Sequence, residues 1–198
     1  MCACSVTLCA VVLQVCRSDT AARSLQPIAI RALVEVAEAI VGDFEMYHTV
    51  VLAVLQIAQS QNAGPEDDQE LKDYIEELRE SILHAYTDIT EGLKNGGKLQ
   101  IMNPYVNSIF TFIAVLLQMP DCPPYLLNKA IGFIGDMGLA FGKPLEPLLI
   151  NPIIMQGIQH GEQRARAMNQ EDEGLGESLL NTCRFSMNVI ERVKTSPK

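Results

Sequence analysis

Between Asp68 and Lys94 the apolar positions Leu71, Tyr74, Ile75, Leu78, Ile82, Ala85, Tyr86, Ile89 and Leu93 recur at steps of three and four. At about 100° per residue that spacing gathers them on one side of an α-helix. Asp73, Glu76, Glu77, Glu80, His84, Asp88 and Glu91 fall on the other side. Asn62-Ala-Gly-Pro65 precedes the stretch and Asn95-Gly96-Gly97 follows it, both strong loop signals, so a helix over 67–94 is predicted. The same periodicity runs through most of the chain. The period-two alternation of a half-buried strand is nearly absent, and no Asn-Gly or Asp-Gly pair separates two strand-like runs.

A longer period is also present. Gly42, Gly92 and Gly142 stand 50 residues apart, and each is placed to close a helix as a C-terminal cap. Val34–Gly42 aligns at an offset of 100 with Ile134–Gly142, and a second apolar stretch follows each run: Phe44 to Ser60, and Leu145 to Gln159. The chain therefore reads as helix pairs: 4–16 with 24–41, 43–60 with 67–94, 99–118 with 123–141, and 145–160 with 177–194. One pair cannot bury both of its apolar faces, so the pairs must stack. The expected fold is all-α, a right-handed α-solenoid of about four HEAT-like pairs forming a single array over 1–198. Pro27, Pro123 and Pro124 stand at helix starts, where a missing N–H costs little. Pro144 is placed to open the next helix. Pro152 falls inside the helix expected at 145–160 and should kink it. The polar stretch 169–176 is expected to be an exposed loop.

Composition narrows the function. With 48% hydrophobic and 20% charged residues the chain has enough apolar surface to fold. Its net charge of −9 and pI near 4.8 argue against nucleic acid as a partner. Nearly all of that charge is local. From Glu66 to Glu91 ten acidic residues stand against only Lys72 and Arg79, a net of −8. A solvated helix face ordinarily mixes signs to form i,i+4 pairs, so a row of one sign suits a basic partner. Cys2, Cys4, Cys9 and Cys16 have no histidine partner before His48 and read as small apolar residues of a buried helix in a reducing compartment. The same stretch lacks the basic start of a signal peptide. The longest apolar run, 109–117 with Thr111 inside it, is too short to cross a bilayer. A soluble intracellular protein is expected, with no metal and no cofactor. An N-terminal end exposing Val6, Val11, Val12 and Val15 would be sticky, which favours further chain upstream.

No catalytic constellation emerges. His48, His84 and His160 lie on different predicted helices with no shared carboxylate or thiol spacing. Glu76 and Glu77 are adjacent but flank no nucleophile. Gly132, Gly135, Gly138 and Gly142 lack the Lys-Ser/Thr ending of a phosphate loop and sit in a helical pattern, so close helix packing accounts for them. Phe110, Phe112, Phe133 and Phe141 are read as core.

Several runs are more specific than periodicity. Asp73-Tyr-Ile-Glu-Glu-Leu-Arg-Glu-Ser-Ile-Leu-His-Ala-Tyr-Thr-Asp-Ile-Thr-Glu-Gly-Leu-Lys94 resembles the last repeats of the importin beta family of nuclear import receptors. Ile131-Gly-Phe-Ile-Gly-Asp-Met-Gly-Leu-Ala-Phe-Gly-Lys143, Ala39-Ile-Val-Gly-Asp-Phe-Glu-x-Tyr47 and Asn151-Pro-Ile-Ile-Met155 continue the likeness in order over about residues 8–160. Two features depart from it: the family's final helices are basic and carry a tryptophan, whereas Gln170-Glu-Asp-Glu173 is acidic and the chain has no Trp.

The resemblance implies a non-enzymatic receptor of the cytoplasm, nucleus and nuclear pore. Its concave face would hold the basic helical segment of an importin-alpha-type adaptor. The candidate binding residues are Asp73, Glu76, Glu77, Glu80, Asp88 and Glu91, with Glu35 and Asp136 at matching acidic positions of neighbouring second helices. The family also takes nucleoporin Phe-Gly repeats in grooves between outer helices, which the sequence does not assign to named residues. The repeats that hold the small GTPase Ran are not among those matched, so Ran-driven release is not expected of these 198 residues. The alternative is a HEAT-repeat scaffold that organises a multiprotein complex without a transport role.

Overall fold

The computed structural model describes residues 25–39, 48–64, 66–168 and 173–197, without the side chains of 33–39 and 173. Its helices are α1 (Gln26–Ala39), α2 (His48–Ala58), α3 (Gln69–Asn95), α4 (Val106–Gln118), α5 (Pro124–Phe141), α6 (Glu146–Leu149), α7 (Pro152–Ala167) and α8 (Glu173–Thr195). Short 3-10 turns, Leu99–Met102 and Lys143–Leu145, follow α3 and α5. There is no strand among the described residues. The helix expected at 4–16, the four N-terminal cysteines, the four N-terminal valines and Gly42 lie outside them.

Local chemistry sets the helix ends. At the start of α3 the Asp68 carboxylate accepts the Leu71 N–H at 2.8 Å, leaving the apolar period free to begin. At its end the Lys98 N–H reaches Leu93 O (2.8 Å) and the Gly97 N–H reaches Lys94 O (3.1 Å). Gly97 there adopts φ +67°, the left-handed geometry of a Schellman cap. Gly92 is therefore not the cap expected from the 50-residue spacing. It lies inside α3, where a glycine costs stability but breaks no backbone bond. Gly142 does close α5, with φ +63° and its N–H on Gly138 O at 2.9 Å.

Three prolines redraw the later boundaries. Pro104 has no N–H for Gln100 O, which instead takes the Asn103 N–H at 3.2 Å, so the helix expected at 99–118 becomes a 3-10 turn followed by α4. Pro144 sits within the turn Lys143–Leu145 rather than opening a helix. Pro152 does not kink a continuous helix: the chain breaks at Ile150 and Asn151, and Pro152 is the first residue of α7. The Asn151 side chain caps that helix by accepting the Ile153 N–H at 2.9 Å. At the far end α8 begins at Glu173, so 173–176 of the expected loop are helical. Gly176 permits this, since a Cβ there would stand 3.0 Å from Ala165 O.

The chain divides between Asn103 and Pro104 into two compact units, each described by itself. In the first, α1 packs along α3, with Arg31 Nε donating to Ser81 Oγ at 3.2 Å. Ile30, Leu52, Leu55, Leu78, Ile82 and Tyr86 are almost wholly buried, each such side chain contributing about 1.5–3 kcal/mol. Polar side chains tie α3 to α1 and to the α2–α3 connection. Tyr74 donates to Gln26 and to Gln61 Oε1 (3.1 Å), Arg79 Nη2 to Asn62 Oδ1 (2.9 Å), and the Tyr86 hydroxyl to Gln59 Oε1 (3.0 Å).

In the second unit α5 packs along α8 and α4 along α7. Asn128 Nδ2 donates to Ser178 Oγ at 3.1 Å and Ser186 Oγ to Ile131 O at 2.7 Å. Gly132, Gly135 and Gly138 face Thr182, Phe185 and Val189 in turn, so the two helices run parallel with a register of about 50 residues. A Cβ at Gly135 would come within 2.5 Å of the Phe185 ring, and one at Gly138 within 2.7 Å of Val189 Cγ1. These glycines serve helix packing. Phe110, Phe112 and Phe133 are core, while Phe141 is half-buried. The 50-residue period thus reports a register: a position on one second helix lies beside the position 50 later on the next. Arg31 over Ser81 shows it in the first unit, and Asn128 over Ser178 in the second.

Candidate partner-binding face

Helix α3 has two chemically distinct sides because its apolar period commits one of them to the core. Ile75, Leu78, Ile82, Tyr86 and Ile89 are buried, which turns the acidic positions outward. Asp73, Glu77 and Glu91 are exposed; Glu76, Glu80 and Asp88 are half-buried. Because a helix rises about 1.5 Å per residue, Asp73, Glu76, Glu77 and Glu80 repeat at intervals shorter than the Debye length of about 8 Å at physiological salt. Their fields therefore overlap into one negative strip; Asp88 and Glu91 stand about 12 Å or more further along the axis.

The chain's own groups engage part of it. Gln69 Nε2 donates to Asp73 Oδ1 at 2.6 Å. His84 Nδ1 stands 2.5 Å from Asp88 Oδ2, and the Asp88 side chain is only 20% exposed, so this carboxylate is already engaged. Arg31 Nη2 approaches Glu77 Oε1 at 3.6 Å with both side chains about half exposed, a pair worth little in water. The two remaining expected positions stand on other helices. Glu35 lies in α1, but its side chain is outside the described ones. Asp136 is exposed on α5, in the second unit.

His48, His84 and His160 stand on α2, α3 and α7. Among the described residues no three His, Cys, Asp or Glu side chains are grouped to hold a metal ion. Burial, reinforced by the Glu162 carboxylate, pushes the Cys183 thiol up to about 11, so it stays protonated and is a poor nucleophile. No described helix is long and apolar enough to cross a membrane.

A second surface escaped the sequence reading. Phe110, Ala114 and Val115 of α4, with Leu148, Ile153 and Ile154 of the α6–α7 segment, line an open cavity of about 370 Å³. Val115 is 45% exposed although it lies in the most apolar run of the chain. The available signal was that excess: the run 109–117 is apolar on more sides than one core contact requires.

A sequence model of importin subunit beta-1-like TPR repeats matches residues 4–162, most of the chain and both the acidic helix and the cavity. The chain belongs to the importin beta-1-like family. Importin subunit beta-1 of Schizosaccharomyces pombe is 32% identical over 127 residues, 64% of this chain and 15% of that protein. The Arabidopsis thaliana importin subunit beta-1 is 28% identical over 159 residues, 79% of this chain and 18% of its own. A crystal structure of importin beta in a polyethylene glycol condition matches 93% of this chain with a TM-score of 0.80 and 30% identity, over 21% of its own length. The α-solenoid class expected from the helix pairs is the fold of that match. The chain spans about a fifth or less of the importin beta proteins it resembles.

Proposed function

We propose that this chain is a protein-binding segment of an importin-beta-like nuclear transport receptor, working between cytoplasm and nucleus through the nuclear pore. In this reading it holds a basic helical segment of an importin-alpha-type adaptor against the acidic side of α3. One observation carries it: Asp73, Glu76, Glu77, Glu80 and Glu91 form a single-sign row along the open side of a helix whose other side is core. Each exposed ion pair contributes only about 0.2–1 kcal/mol, so the row acts collectively, steering a Lys/Arg-rich helix and fixing its register. The role is binding, with no bond made or broken. The test is the affinity of an importin-alpha-type basic peptide for the wild-type chain and for a variant with Asp73, Glu76, Glu77 and Glu80 changed to Lys. The variant should lose binding; unchanged affinity would contradict the proposal.

The cavity on α4, α6 and α7 supports a second contact with the same transport role. Its apolar lining and amide side chains (Asn107, Gln118, Asn151) suit the ring and backbone of a nucleoporin Phe-Gly repeat. Val115→Asp should abolish Phe-Gly peptide binding while leaving the basic peptide bound. Retained Phe-Gly binding would count against this use of the groove.

A further inference from the structure

At the end of α8 the structure brings an accessible hydroxyl and several cations together. Thr195 is the last helical residue; Ser196 follows it, exposed, with its N–H and its Oγ both on Arg192 O at 3.0 and 2.8 Å. Pro197 comes next and, lacking an N–H, cannot extend the helix, so Ser196 sits where the chain leaves it. No other serine or threonine in the 198 residues precedes a proline. Arg192 and Lys194 lie on the same last turn, and Lys198 follows in the sequence. From the end of α5, Lys143 Nζ donates to Lys194 O at 2.8 Å, two residues before Ser196. Lys143 and Lys194 now hold only partly exposed carboxylates, Glu146 at 3.1 Å and Glu191 at 2.8 Å.

We infer that Ser196 is the acceptor of a proline-directed serine/threonine kinase, and that its phosphate clips the end of α8 to Lys143 at the end of α5. The γ-phosphoryl group of ATP forms a P–O bond with Ser196 Oγ as its bond to the β–γ bridging oxygen breaks. ADP leaves, and the hydroxyl proton passes to the kinase's base and then to solvent. The product carries close to two negative charges and three acceptor oxygens. The carbonyl end of a helix opposes such a group with about half a unit charge. The full charges of Arg192, Lys194 and Lys143 outweigh that opposition, and phosphate competes for both lysines better than an exposed carboxylate does.

The full chain is incubated with a proline-directed kinase and Mg-ATP, mapped by mass spectrometry, and followed by hydrogen exchange before and after. One phosphate should enter at Ser196 and be absent from Ser196→Ala. Amides of the last turn of α8 and around Lys143 should then exchange about fivefold more slowly. Lys143→Met should still accept the phosphate but lose the added protection. The inference is overturned if Ser196 is not modified while a peptide of residues 190–198 is, or if the modified chain exchanges no more slowly. It is equally overturned if Lys143→Met retains the full effect. None of these readouts depends on the partner proposed above.

Discussion

The sharpest mechanical consequence of the stacked helices is that one substitution, glycine to alanine, should have opposite effects at two sites. Helix propensity alone favours alanine by about 0.8–1.0 kcal/mol in a helix interior. At Gly92, inside α3, an added Cβ meets nothing within 4 Å, so Gly92→Ala should realise most of that gain. At Gly157, inside α7, the Cβ would stand 2.7 Å from both Leu117 Cβ and Cδ1 and 2.9 Å from Cγ. Leu117 Cβ is placed by the backbone of α4, so no rotamer relieves the clash and the helices must move apart. Overpacking of a close-packed site costs about 1–3 kcal/mol, and the upper part of that range applies here. Net of propensity, Gly157→Ala should destabilise its unit by about 1–2 kcal/mol. Urea unfolding followed by far-UV circular dichroism is suitable, since the chain has no tryptophan. Gly92→Ala should raise the midpoint of the first unit's transition and Gly157→Ala lower that of the second, with m-values unchanged. If Gly157→Ala proved as stable as wild type, the close approach of α7 to α4 would be refuted.

Two further changes probe the first unit. Burial holds the Tyr86 phenol well above its ordinary value of 10.0, so the folded state resists ionisation there while the unfolded chain does not. Stability should be fully present below about pH 10 and fall above it. Tyr86→Phe, which also loses the bond to Gln59, should cost about 1 kcal/mol at neutral pH but show a shallower alkaline decline in urea titrations; an equally steep decline would remove Tyr86 as its cause. Arg31→Ala should cost about 1 kcal/mol, because its half-exposed pair with Glu77 is worth little but its bond to the buried Ser81 hydroxyl is lost, while tightening basic-peptide binding measured by fluorescence anisotropy. Weaker binding would show that Arg31 helps the partner rather than competing with it.

What could be read from the chain alone follows a physical division. The two sides of α3 were legible because one helix contains both the apolar period and the acidic row. Asp68 and Asn95-Gly96-Gly97 marked its ends for the same local reason. The 50-residue glycine spacing announced a repeat, yet its meaning is a register between distant helices. Only the packing of Gly135 under Phe185 and of Asn128 on Ser178 makes that visible. Gly92 misled because spacing does not distinguish a glycine inside a helix from one that ends it. Pro152 misled because its effect depends on whether Asn151 caps a new helix or continues an old one. The cavity needs Val115 and Ile154, nearly 40 residues apart, to meet across α4 and α7, and no local pattern encodes that meeting.

The acidic side of α3 is proposed to hold a basic helix through collective electrostatics. The direct measurement is the Kd of an importin-alpha-type basic peptide for the full chain as ionic strength rises from 0.01 to 0.15 M. The same series is run on a variant in which Asp73 becomes Asn and Glu76, Glu77 and Glu80 become Gln. Over that range the Debye length falls from about 30 to about 8 Å. Four pairs at about 0.2–1 kcal/mol each, about 0.8–4 kcal/mol together, make a loss of about fourfold or more the expected result. The variant should bind weakly at every salt concentration. A Kd that ignores salt, or a neutralised variant that binds as the wild type does, would contradict it.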